Sequence, residues 1–108
     1  MSYRVIIVPA AEHDIHRAVK WWADHRSGEQ AERWYTRIYP AIGTLSETPD
    51  RCPVASESDL LPEGLRQLHF GVGSKATHRI IFTIVGQEVR VLRVRHVAQQ
   101  SLSLEDLH

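Results

Sequence analysis

Apolar and polar residues follow two rhythms along this chain, and the switch between them divides it. Tyr3 to Val8 is an apolar, β-branched run, which predicts a strand, and Pro9 closes it while supplying a favourable first helical position. From Ala10 to about His25 the apolar residues Ile15, Ala18, Val19 and Trp22 recur at i, i+3, i+4 and i+7. That is one stripe of a 3.6-residue helix. Trp22 packs and Trp21, beside the stripe, stays free. Ser27-Gly28-Glu29-Gln30 has the spacing of a capping box, so a second helix starts at Gly28. Its inward positions are Ala31, Trp34, Tyr35, Ile38, Ile42 and Leu45. It stops before Thr48-Pro49, because a residue preceding proline avoids the α region. A short turn between the two makes an antiparallel helical hairpin.

Beyond the hairpin the rhythm becomes two. Glu47 to Gly64 holds three prolines and the acids Glu47, Asp50, Glu57, Asp59 and Glu63 against Arg51 alone, which reads as a surface loop. Three strands follow at Leu65–Phe70, Thr77–Val85 and Glu88–His96, the last two joined by Gly86-Gln87 as in a tight hairpin. The order β-α-α-β-β-β predicts an α+β fold, with the helical hairpin packed on one face of a mostly antiparallel four-stranded sheet. Alternation assigns Leu68, Phe70, Ile80, Phe82, Ile84, Leu92 and Val94 to the face under the helices. The opposite face carries Gln67, His69, Arg79, Ile81, Thr83, Val91, Arg93 and Arg95.

Charge sharpens that picture. The totals balance at 13 Lys+Arg and 13 Asp+Glu, yet Leu65 to Ala98 holds Arg66, Lys75, Arg79, Arg90, Arg93 and Arg95 with His69, His78 and His96 against Glu88 alone. A cationic sheet face is therefore expected, suited to nucleic acid or an acidic protein partner, with the acidic loop placed to screen it. At 108 residues and 43% apolar the chain suits a single domain spanning 1–108. No apolar run reaches the ~20 residues of a membrane span, and the first residues do not read as a secretory signal, so a cytoplasmic protein is expected. Cys52, the single cysteine, reads as an incidental loop thiol.

Several chemistries fail on spacing. Gly71-Val72-Gly73-Ser74-Lys75 lacks the Gly-x-x-x-x-Gly-Lys pattern and leads into a strand, leaving a flexible connection with Lys75 free to touch a polyanion. His13 and His16 share a helix face without a third ligand, so neither a metal nor a cofactor is expected. No Gly-x-Ser-x-Gly elbow or nucleophile–histidine–carboxylate set can be assigned.

Three segments of the first half, Val8-Pro9-Ala10-Ala11-Glu12-His13-Asp14-Ile15, Ala31-Glu32-Arg33-Trp34-Tyr35 and Ile42-Gly43-Thr44-Leu45, carry a family likeness. In the second half it is carried by Gly64-Leu65-Arg66-Gln67-Leu68, His78-Arg79-Ile80-Ile81-Phe82 and Val91-Leu92-Arg93-Val94-Arg95-His96. Over almost its whole length the chain resembles the RelE/ParE superfamily of bacterial toxins from type II toxin–antitoxin pairs, nearer its ParE-like members. The resemblance implies the same β-α-α-β-β-β fold, a cognate antitoxin, and growth arrest or plasmid stabilisation as the output.

RelE-like members are mRNA endoribonucleases on the ribosome. That chemistry needs a base, an acid and cations for the charged phosphorane, roles that His69, Arg79 and His96 could fill with Arg93 or Arg95 on the phosphate. ParE-like members are inhibitors of DNA gyrase. The long hairpin favours the ParE side, as does Val97-Ala98-Gln99-Gln100, where cleaving members tend to carry an arginine and then a tyrosine. Arg66, Lys75, Arg79, Arg93 and Arg95 are then the expected target-binding residues, and Ile81, Val91 and Trp21 the antitoxin contacts. A non-toxic interaction module keeping the fold, and pairing of two copies through the aromatic helices, are the other readings.

Overall fold

The computed structural model describes residues 2–107. Strand β1 (Arg4–Ile7) leads into helix α1 (Pro9–His25) and helix α2 (Gly28–Gly43), followed by β2 (Arg66–Phe70), β3 (His78–Val85) and β4 (Glu88–His96). Pro9 stands in the first turn of α1, and Ser27 caps α2 by accepting the Gln30 amide at 3.1 Å. Short 3₁₀ turns at Thr44–Ser46, Pro49–Arg51, Ser58–Leu60 and Leu104–Leu107 shape the acidic loop and the C-terminal segment.

The sheet order is β1-β4-β3-β2, with β1 parallel to β4 and the other pairs antiparallel. Gly86 turns the β3–β4 hairpin with φ of 61°. The helical hairpin covers one face. Ala11 and Ile15 of α1 and Trp34, Ile38 and Ile42 of α2 pack on Phe70, Ile80, Phe82, Val89, Val91 and Val94. Trp34 meets the edge of the Phe70 ring at 5.7 Å.

Three expectations need correction. Tyr35 follows Trp34 directly, so it lies about 100° round the helix from the buried stripe and is 41% exposed, stacked edge-on against Tyr39. Cys52 belongs to the loop, yet it is buried within the main core, and burial pushes its thiol up. The third concerns β4. Its register slips between Ile81 and Phe82, so Ile81 pairs with Arg93 but Phe82 pairs with Val91, leaving Leu92 extra. This β-bulge inverts the alternation before it. Val91, expected outside, is fully buried under the helices, and Leu92, expected inside, packs on the outer face.

That outer face is not open. Residues of the acidic loop and of the C-terminal segment lie across it, so Ile81 is fully buried against Ala55, Leu65 and Leu102, with Leu92 and Leu107 at the margin. Thr83 ties the cover down by donating to the Gly64 carbonyl at 2.8 Å.

Candidate functional site

The expected cationic face is neutralised from within. Arg79 is 9% exposed and donates from both terminal nitrogens to Glu57, one bond measuring 2.8 Å, while Gln67 Oε1 accepts a further bond at 3.0 Å. Glu57 is equally buried. Its carboxylate also accepts the Ser56 hydroxyl and the Leu102 amide, each at 3.0 Å. The Arg79 guanidinium, helped by these donors, overcomes the cost of burial and holds Glu57 at about 2. One carboxylate thus joins loop, strand and C-terminal segment.

Arg93 is claimed likewise. Its Nε and Nη2 donate to Asp14 at 2.7 and 2.9 Å in a bidentate pair, and its Nη1 donates to the Asp106 carbonyl at 3.0 Å. Asp14 has a second task. Strand β1 ends at Ile7 opposite Val91, so β4 beyond that point has no neighbour on one side, and the Val94 amide donates to Asp14 at 2.9 Å instead. A helix carboxylate stands in for the missing strand.

The remaining target-binding candidates are scattered. Arg66 donates to the Asp50 and Cys52 carbonyls at 3.2 and 2.7 Å, fastening the loop, and Lys75 is exposed in the β2–β3 connection. Arg95 donates to the Gln100 carbonyl at 2.8 Å. The five basic residues therefore do not form one free surface. The acidic loop was expected to screen this face, and its Glu57 does so on Arg79; counting charge along the chain missed Asp14 of α1 and the C-terminal segment, which take up Arg93.

The nuclease set also comes apart. His69 and Arg79 are register partners on the outer side, His69 exposed and Arg79 buried, whereas His96 pairs with His78 and lies on the helix side. The two histidine rings meet edge-on at 5.2 Å, and His78 lies 4.9 Å from Trp34. Of the three antitoxin candidates, Ile81 and Val91 are buried for the reasons given above. Trp21 stands 42% exposed, stacked on His25 at 4.9 Å with the Arg26 guanidinium 6.0 Å from the ring.

Trp21 borders a cleft of about 430 Å³ between α1 and the free end of β4. Arg17 lines it from α1, Arg95 and His96 from β4, His78 from β3, and Gln99 from the turn after the sheet. The turn is fixed by the His96 amide, which donates to Gln99 Oε1 at 2.7 Å, and by the Ala98 amide, which donates to His96 Nδ1 at 3.0 Å. Burial, then the neighbouring His96, depresses His78 to about 4, so it is neutral at physiological pH. The cleft offers cations, an aromatic wall and a strand edge, the makings of a peptide seat. Of its walls, Asp14 had one signal in the sequence: a carboxylate on the Ala11–Ile15–Ala18 stripe must find a buried partner.

A family model described as "ParE toxin of type II toxin-antitoxin system, parDE" matches residues 5–101. The chain belongs to this toxin family. It is thus a type II toxin–antitoxin toxin of the ParE/RelE superfamily. No curated protein sequence matches it. Its fold is similar to that of the chromosomal ParDE toxin–antitoxin system from P. aeruginosa, with a TM-score of 0.70 and 17% identity over 89% of this chain and 97% of that one. It is also similar to the RelBE2 toxin–antitoxin complex from Mycobacterium tuberculosis, with a TM-score of 0.58 and 22% identity over 89% of this chain and 99% of that one.

Proposed function

We propose that this toxin acts by binding a protein, DNA gyrase, and that an antitoxin silences it by seating a segment in the α1–β4 cleft. The observation that carries the reading is the separation of the catalytic candidates: His69 and His96 lie on opposite sides of the sheet, and Arg79 is locked to Glu57. A phosphorane needs base, acid and cation converging within hydrogen-bond reach. The match to the ParE family model supports the gyrase target, and the ParDE and RelBE2 neighbours support a cognate antitoxin.

The antitoxin segment expected in the cleft carries apolar residues for Trp21 and acids for Arg17 and Arg95. Salt should weaken the acidic contribution. Gyrase works in the cytoplasm, which is where the toxin would act, and growth arrest or plasmid stabilisation would be the output.

Purified protein added to a supercoiling reaction should inhibit gyrase, and the antitoxin should relieve the inhibition. Unaltered supercoiling together with codon-positioned mRNA cuts on ribosomes would instead establish the nuclease reading. For that chemistry the cleft supplies His96 beside Arg95, so cutting should vanish in His96→Ala. Normal growth on inducing the gene alone would leave a non-toxic interaction module.

A further inference from the structure

Helix α1 has a second working face, turned away from the cleft. Counting about 100° per residue from Asp14, the other cleft residues Arg17, Ala18 and Trp21 fall within roughly 60° of it. Glu12 and His16 fall about 160° to either side, on the opposite face. They stand one helical turn apart, with His16 Nε2 3.8 Å from Glu12 Oε2 and the two side chains 63% and 38% exposed. As an ion pair so exposed it would contribute little to stability. Its surroundings suit another task. The Tyr39 hydroxyl reaches over from α2 and donates to the same Glu12 oxygen at 2.9 Å, orienting the carboxylate. Tyr35, 41% exposed, lies 6.4 Å from the His16 ring and meets Tyr39 edge-on at 5.4 Å.

An imidazole and a carboxylate on one helix face, the carboxylate held by an outer hydroxyl, are two arms of a zinc site. Ligand atoms about 2.1 Å from a tetrahedral ion stand roughly 3.4 Å apart, so a small side-chain rotation closes this clip. The carboxylate has lone pairs to spare beyond the one that Tyr39 occupies. A single chain does not complete the site, since among the described residues no three His, Cys, Asp or Glu converge on a common point. A twofold axis through the ion supplies the other two ligands from the same surface of a second copy. We propose that Zn²⁺ joins two copies of this chain, held by Glu12 and His16 of each, with Tyr35 packing across the axis. The two carboxylates balance the charge of the ion, and a chain of zero formal net charge does not repel its copy. Tyrosine is a favoured residue at the heart of such contacts. Pairing through this face gives the aromatic helices a role and leaves the α1–β4 cleft of each copy open. The site does not depend on the gyrase reading.

The test uses tag-free protein stripped with a chelator and returned to chelator-free buffer. Sedimentation with added ZnCl₂ should show the mass double, and metal analysis should find one zinc per two chains. CoCl₂ in place of zinc should give the intense visible bands of a tetrahedral ion. His16→Ala and Glu12→Gln, both on the solvent side of α1, should abolish the zinc-dependent dimer while leaving thermal melts of the metal-free protein unchanged. Tyr39→Phe, which keeps the ring and removes the outer hydrogen bond, should weaken zinc binding roughly tenfold. Zinc bound one per chain with no change in mass would overturn the bridge. A dimer that forms equally in chelator, or a zinc-driven dimer that survives in both ligand variants, would overturn the assignment of Glu12 and His16, as would zinc binding no tighter in the parent than in His16→Ala.

Discussion

Replacing Glu57 with glutamine removes a charge from the centre of the outer face without altering its shape, and its cost follows from the structure. The side chains of Glu57 and Arg79 are 3% and 11% exposed, so their pairing is little screened by solvent. Folding moves the Glu57 carboxyl from 4.5 to about 2. That shift corresponds to about 3 kcal/mol in favour of the ionised form. A depressed carboxylate stabilises the fold fully above its unfolded value, and the contribution drains away as pH falls from 4.5 towards 2. Removing one partner of a buried pair also strands the other, for which about 3–5 kcal/mol is usual. In Glu57→Gln the Leu102 and Ser56 bonds can persist, so the lower end, about 3 kcal/mol, is expected. For a domain of this size it lowers Tm by roughly 15 °C. Urea melts at pH 7 should show the loss. Melts between pH 4.5 and 2 should show a flatter dependence than in the parent. A cost below about 1 kcal/mol, or an acid limb unchanged from the parent, would refute the argument. Glu57→Leu with Arg79→Met should recover only part of the stability, because an apolar pair avoids desolvating two ions but leaves the buried Leu102 amide without its acceptor.

His78 loses stability in a higher window. Its folded value of about 4 lies below the ordinary 6.5, so the unfolded chain binds its proton more readily, and stability declines as pH falls from 6.5 towards 4, by up to about 3 kcal/mol. Denaturation midpoints at pH 7, 5.5 and 4 should show this in the parent and not in His78→Gln. Asp14→Asn should cost about 2–4 kcal/mol, since Arg93 loses a bidentate carboxylate. Hydrogen exchange at the Val94 amide, which now donates to Asp14, should quicken beyond what the global loss explains. Ser27→Ala removes the cap on α2 and should cost about 1 kcal/mol in urea midpoint without changing the slope.

What could be read in advance was local. The α1 and α2 stripes, the Ser27 cap, Pro9 at the helix start and the Gly86 turn each depend on neighbours a few positions away, and the observed elements follow them. The sheet face was legible only in part. Alternation placed Ile80, Phe82 and Val94 correctly, but a one-residue bulge near Leu92 reversed Val91, and no local pattern announces a bulge without a glycine. The basic cluster was misjudged for a related reason. Glu57 lies 22 positions from Arg79, and Asp14 lies 79 from Arg93, so neutrality is a property of the assembled fold rather than of the segment. The cleft escaped notice because its walls come from α1, β3 and β4, which only the parallel β1–β4 pairing brings into line.

That pairing also bears on when the fold is complete. Strand β4 sits inside the sheet between β1 and β3, with Arg4 beside Glu88, yet it follows the other three strands in the chain. A nascent chain holds the helical hairpin early, but its apolar stripe has no floor until residues 78–96 have emerged, and contacts so distant in sequence close slowly. A chain without β4 would therefore leave the helical stripe without the strand that carries Val89, Val91 and Val94. A neutralising partner already waiting at that moment would meet the molecule just as it completes itself.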